Sequence, residues 1–203
     1  MTTQATVAAR VIDGTKIYGE GDAAVHALNG VTMDFPAGEF TAIMGPSGSG
    51  KSTLMQCMAG LDHFTDGQAF LGGEDITTLK DRALTQLRRD KVGFIFQAYN
   101  LVPTLNVREN ITLPMDIAGT KADEEWLATV VAAVGLGDRL THRPSELSGG
   151  QQQRAAAARA LASRPDIIFA DEPTGALDTE TGAALLGFLQ TATDEYGQTV
   201  VMV

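Results

Sequence analysis

The sequence predicts an α/β protein built on a mainly parallel sheet. Short apolar runs alternate with segments of helical character, the pattern that produces parallel strands joined by helices. A glycine-rich loop, Gly45–Ser52, separates one such run from a helix. The 203 residues are 44% hydrophobic and 20% charged, enough to bury a sizeable core.

The elements follow in order. Ala9–Tyr18 and Val31–Phe35 read as strands, with Gly19, Gly21, Gly30 and Pro36-Ala37-Gly38 as turn punctuation. Phe40–Met44 is a short apolar run that suits a buried strand ending at Gly45. Lys51–Ala59 carries the helix formers Leu54, Met55 and Met58, and Val92–Phe96 is another strand. Val107–Ile117 and Asp123–Val134 are predicted helices. The second opens on Asp123, Glu124 and Glu125, acids that complement a helix dipole. Trp126, Val130, Val131 and Val134 share its apolar face, so Trp126 is expected in packing. Alanine-rich Gly149–Ser163 is a strong helix stopped by Pro165. Ile167–Ala170 is a buried strand running into Asp171-Glu172, Thr181–Tyr196 a helix, and Thr199–Val203 a last strand.

Charge and composition exclude several classes. The net charge of −10 argues against a general nucleic-acid binder, which carries a basic footprint. No run of about 18 apolar residues exists to span a bilayer, and the N-terminus lacks the apolar core of a secretory signal. Cys57 is the only cysteine, so an internal disulfide is excluded, which suits a reducing cytoplasm; it reads as a small buried hydrophobe.

Gly45-Pro46-Ser47-Gly48-Ser49-Gly50-Lys51-Ser52 fits G-x-x-x-x-G-K-[ST] in the strand-to-helix context that this phosphate loop requires. Its glycines let successive N–H groups point into one concavity, and the following helix start adds partial positive charge. Lys51 brings a full charge to the outer phosphates, and the Ser52 hydroxyl suits Mg²⁺. Asp171, at a strand end, is placed to hold the Mg²⁺ shell. Glu172, one residue on, is placed to act as general base on an attacking water.

Leu147-Ser148-Gly149-Gly150-Gln151 precedes the alanine-rich helix and offers a second phosphate-binding helix start. With this motif the chain resembles the ATP-binding cassette (ABC) ATPases, whose signature is LSGGQ. The resemblance spans essentially the whole chain. It implies a P-loop core with N-terminal antiparallel strands, divided into 1–96 and 149–203 by a helical subdomain at 97–148. It also implies ATP and Mg²⁺ as cofactors, and ATP hydrolysis by a homodimer. In that dimer each γ-phosphate lies between one Lys51 loop and the Ser148, Gly149, Gly150 and Gln151 of the other chain.

Further matches carry implied roles. Gln97 is the glutamine linking Mg²⁺ and water to the helical subdomain. Thr53 completes the phosphate loop. Tyr18 is the aromatic that stacks on adenine. Ala176-Leu177-Asp178 is the loop that meets the opposing subunit through Asp178. The segments Gly93–Leu105, Gln151–Arg154 and Asp171–Asp178 look like the macrolide-export and lipoprotein-release (MacB/LolD-like) branch. Such a cassette sits on the cytoplasmic face of the membrane through a permease, reached by the cleft beside Gln97 and by Tyr99, Leu101, Val102 and Leu105. Export, lipoprotein release and mechanical signalling of the FtsE-like kind stay open, as does a catalytically silent module. One departure marks the match: the family places a switch histidine just after the strand that begins at Thr199, and this sequence ends at Val203. His26, His63 and His142 lie elsewhere and are expected to be solvated or locally bonded. Strands closing the sheet would be missing, leaving a less stable C-terminal edge.

Overall fold

The structure, a computed structural model, describes residues 6–203; the start of the expected first segment, residues 1–5, lies outside them. Its strands are β1 (Val7–Tyr18), β2 (Val25–Pro36), β3 (Phe40–Ala42), β4 (Asp66–Leu71), β5 (Glu74–Asp75), β6 (Val92–Phe96), β7 (Ile167–Asp171) and β8 (Thr199–Met202). Its α-helices are α1 (Lys51–Met58), α2 (Asp81–Lys91), α3 (Val107–Ala118), α4 (Glu124–Ala133), α5 (Gly149–Ala162) and α6 (Thr179–Tyr196).

Two four-stranded sheets result. One has the order β2-β1-β4-β5 and antiparallel pairs; the other has the order β3-β8-β7-β6 and parallel pairs. Strand alternation explains why the parallel sheet is buried on both faces. In β7, Ile168 and Ala170 join the apolar cluster of α3, α4, α5 and α6, while Ile167 and Phe169 face the cluster of α1, α2 and the antiparallel sheet. Trp126 packs in the first cluster as expected, its indole N–H donating to the Leu161 carbonyl at 3.0 Å. Cys57 is buried in α1, and burial pushes its thiol up to about 12.

The structure corrects three expectations. β2 begins at Val25 rather than Val31, and Gly30 lies inside it at a φ of +65°. The β1–β2 register shifts around Gly14 and Lys16, so this glycine bends a strand rather than ending one. β8 is not the edge itself: it lies between β3 and β7, so the edge on that side is β3. β4, β5 and α2 were not read from the sequence at all.

α3 and α4 pack on α5, so the segment expected as a separate helical subdomain shares its core with the helix that follows Ser148. Asn110 is fully buried in α3 and holds the chain before it. It accepts from the Val102 N–H at 2.7 Å and donates to the carbonyls of Val102, Leu105 and Asn106.

Candidate functional site

The carboxyl ends of the parallel strands gather most of the expected residues. The loop from Gly45 to Gly50 leaves β3 and enters α1. Gly50 caps α1 at a φ of +86°, and a Cβ there would meet the Ala27 carbonyl at 2.3 Å. Both facts exclude any other residue without a backbone shift. Gly48 is also left-handed and faces open space. Pro46, Ser47, Gly48 and Ser49 are exposed, as an incoming phosphate requires. The Lys51 ammonium folds back across the loop onto the Pro46 carbonyl at 2.7 Å.

Beneath the loop, the Ser52 hydroxyl donates to an Asp171 carboxylate oxygen at 2.9 Å. This contact joins the start of α1 to the end of β7 and presents two oxygens at one point. That donor chemistry fits Mg²⁺, a hard cation that keeps waters and phosphate oxygens in its shell. Among the described residues no three His, Cys, Asp or Glu side chains converge, so the protein offers no all-protein cage.

Glu172 follows with an exposed side chain and a φ of +45°, unusual for a residue with a Cβ. Its N–H donates to the Val203 carbonyl at 3.1 Å, and its carbonyl accepts from the Gly175 N–H at 3.0 Å. Gln97, exposed at the end of β6, lies over this turn: a Cβ on Gly175 would meet the Gln97 Nε2 at 2.8 Å. Lys51, Ser52, Asp171, Glu172 and Gln97 thus belong to one neighbourhood.

Tyr18 sits at the end of β1, 41% exposed. Its hydroxyl donates to Asp62 at 2.7 Å, and this bond raises its pKa above the ordinary tyrosine value. Lys16 also binds Asp62, at 2.7 Å, and lies 4.7 Å from the Tyr18 ring centre. Burial opposes the charge of Asp62, yet the bonds from Lys16 and Tyr18 outweigh it and hold the carboxyl below its usual range. Lys16 therefore covers one face of the ring.

The Ser148 motif forms a separate group. Ser148 caps α5 in a reciprocal box with Gln151: the Gln151 N–H donates to Ser148 Oγ at 3.3 Å and the Ser148 N–H to Gln151 Oε1 at 2.9 Å. Gly149 lies against the Tyr99 hydroxyl and Gly150 against Thr181. Asp178 caps α6, accepting from the Thr181 N–H and hydroxyl at 2.9 and 2.7 Å, and these bonds lower its pKa. Among the described residues no hydrogen bond joins Ser148–Gln151 to the Lys51 loop.

A family model described as ABC transporter matches residues 28–175. This chain belongs to the ABC transporter family. The cassette is 49% identical over 195 residues to an uncharacterized ABC transporter ATP-binding protein of Thermotoga maritima, covering 95% of the cassette and 83% of that protein. It is 50% identical over 196 residues to the macrolide export ATP-binding/permease protein MacB of Brucella melitensis, covering 96% of the cassette but 30% of that longer protein. Such relatives agree with the MacB-type branch expected from the sequence. The solved dimer of the cassette MJ0796 from Methanocaldococcus jannaschii, bound to ADP and Pi, superposes with a TM-score of 0.85 at 42% identity, covering 96% of this cassette and 87% of that chain.

Among the described residues no histidine side chain hydrogen-bonds an expected site residue, although the His63 backbone bonds Lys16 and Asp62. His26 and His63 are exposed, and His142 is half-buried with Nε2 3.2 Å from an Arg139 guanidinium nitrogen. Two side chains on α5 matter that the sequence did not single out. Arg159 donates to the carbonyls of Asn100 and Tyr99 at 2.5 and 3.1 Å, and burial lowers its pKa. Gln153 is completely buried. The helical spacing of Gln153, Ala157, Ala160 and Leu161 puts it on the packed face, a signal the glutamine-rich run concealed.

Proposed function

We propose that the cassette hydrolyses ATP as a face-to-face homodimer and that hydrolysis drives a membrane permease. The observation that carries this is the meeting of Ser52 with Asp171 under the phosphate loop, with Glu172 and Gln97 alongside and Ser148 apart. Amides of Gly45 to Thr53 bind the phosphates, Lys51 takes the outer two, and Tyr18 stacks on adenine. Ser52, Asp171 and Gln97 would hold Mg²⁺, which would supply positive charge to neutralise the phosphate oxygens. Glu172 accepts the proton of the attacking water while Gln97 orients it.

Ser148, Gly149, Gly150 and Gln151 close the γ-phosphate site of the other chain, and Asp178 borders that interface. With the γ-phosphate gone the two surfaces separate. The opposing helix starts support this arrangement, as does the dimeric state in which MJ0796 was solved. The nucleotide-binding core is proposed as 1–96 and 149–203, with 97–148 as the helical segment that answers the permease.

The permease is proposed to dock at the cleft beside Gln97, as the sequence suggests. Tyr99, Leu101, Val102 and Leu105 are half-buried, and none lines the groove beside them. That groove, about 410 Å³, is formed by Phe94, Phe96, Leu113, Ile117 and Arg159 among others. Ile117 is 70% exposed. No described helix is long and apolar enough to cross a membrane; the cassette is proposed to attach to the cytoplasmic face through the permease. Phosphate release from MgATP by the purified chain tests the hydrolytic function. Steady turnover is expected, and its absence in a folded, nucleotide-binding protein refutes the assignment.

A further inference from the structure

Gln153 lies on the second turn of α5, five positions after Ser148, and is wholly inaccessible to solvent. Its Nε2 donates to the Phe96 carbonyl at 3.2 Å and to the Pro173 carbonyl at 2.7 Å. Phe96 is the residue before Gln97, and Pro173 is the residue after Glu172. The two protons of one amide nitrogen therefore bridge the backbone at both expected catalytic positions. Both partners are carbonyls, so the amide orientation is fixed: a flipped side chain would set oxygen against oxygen. No described protein group donates to the buried Gln153 Oε1, so the two donated bonds are the hydrogen bonds this side chain makes within the chain. Packing alone would be served by an apolar side chain, which leaves the two donated bonds as the reason for glutamine.

We propose that Gln153 is a positioning residue that sets the spacing of Gln97 and Glu172 and ties that spacing to the Ser148 helix. α5 carries Ser148 at its N-terminus and Gln153 one turn on, so a shift of the phosphate-binding helix start pulls on both carbonyls. Closure on the γ-phosphate is in this way transmitted to the groups that orient and deprotonate water. The ladder of β6 and β7 fixes their register as far as Phe96 and Asp171, and the Gln153 amide carries that register past the strand ends to Gln97 and Glu172. The inference rests on the roles of Gln97 and Glu172 proposed above.

The test uses Gln153→Met, which keeps an unbranched chain of similar length and removes both donors. The expected result is a kcat about tenfold lower, because small misplacement of a catalytic group is enough to slow the chemistry. The KM for MgATP and its binding affinity stay within about twofold, since the phosphate loop is untouched. The double variant Gln97→Ala/Gln153→Met is expected to be slower than Gln97→Ala alone by clearly less than the factor Gln153→Met costs by itself, because only Glu172 is then left to position. Multiplying effects, or a Gln153→Met enzyme of unaltered kcat beside a slow Gln97→Ala, overturn the proposal and leave the Gln97 assignment standing. A Gln97→Ala enzyme of unaltered kcat removes both, and marks the assignment of Gln97 as the fault. Gln153→Asn decides the matter if Gln153→Met does not fold: it keeps the amide but is one methylene too short to reach both carbonyls. The same loss of kcat with unaltered MgATP binding is expected, and an unaltered kcat overturns the proposal.

Discussion

Glu172→Gln is expected to bind MgATP as the unaltered cassette does and to turn it over at least about a hundredfold more slowly. A carboxamide matches the carboxylate in shape but does not accept a proton at neutral pH, and a positioned general base contributes roughly 10²–10⁴-fold. The local backbone should survive the change. Glu172 is held by its N–H to the Val203 carbonyl and by the Gly175 N–H to its own carbonyl, neither of which involves the side chain. Its positive φ is equally tolerable for glutamine. The side chain is exposed, so no buried partner is orphaned. Steady-state phosphate release and calorimetry of MgATP binding, run side by side, give the answer. Unaltered turnover would remove Glu172 from the role of base. Lost binding would place it among the nucleotide-holding groups instead.

Lys51→Ala fails one step earlier. The Lys51 ammonium is the only full positive charge that the Gly45–Ser52 loop supplies. Here it rests on the Pro46 carbonyl, a neutral partner that it can exchange for phosphate oxygens. Hydrogen bonds to charged groups contribute about 1.5–3 kcal/mol, so MgATP affinity is expected to drop roughly tenfold to a hundredfold. Alanine is the best helix former and Lys51 is the first residue of α1, so the fold should be retained. Undiminished affinity by calorimetry would contradict the assignment.

The strands of the parallel sheet were legible because fully buried strands read as short continuous apolar runs. Val92–Phe96 agrees to the residue, and Ile167–Ala170 to within one. β4, β5 and α2 gave weaker signals. β4 opens on Asp66 and Gly67, the latter at a φ of +94°, and buries only Ala69 and Leu71. α2 buries only Leu84 and Leu87 amid six charged residues, too narrow a stripe to stand out. The site residues were legible wherever function constrains local spacing, as in the Lys51 and Ser148 loops. Gln153, Arg159 and Asn110 were not. Gln153 and Arg159 reach carbonyls far along the chain, contacts that exist only once α5 has packed beside β6 and the loop after β7, whereas Asn110 folds the loop just before α3 back onto its own helix.

In the proposed arrangement one active site needs two chains. In a single chain the Lys51 loop and the Ser148 helix start belong to separate groups of contacts, although each presents amides suited to phosphate. The direct measurement mixes Lys51→Ala with Ser148→Arg. The second change inserts a bulky cation where close backbone approach is needed. Each variant alone damages both of its sites, because every site uses one Lys51 and one Ser148. In a mixed dimer both lesions fall in the same site and leave the other one intact. Mixed dimers purified through two different tags should therefore regain ATPase activity that neither variant shows alone. Mixed dimers no more active than the separate variants would contradict the account, provided that Ser148→Cys also fails to form an MgATP-dependent intermolecular cross-link to a Ser47→Cys phosphate loop in a Cys57→Ser background.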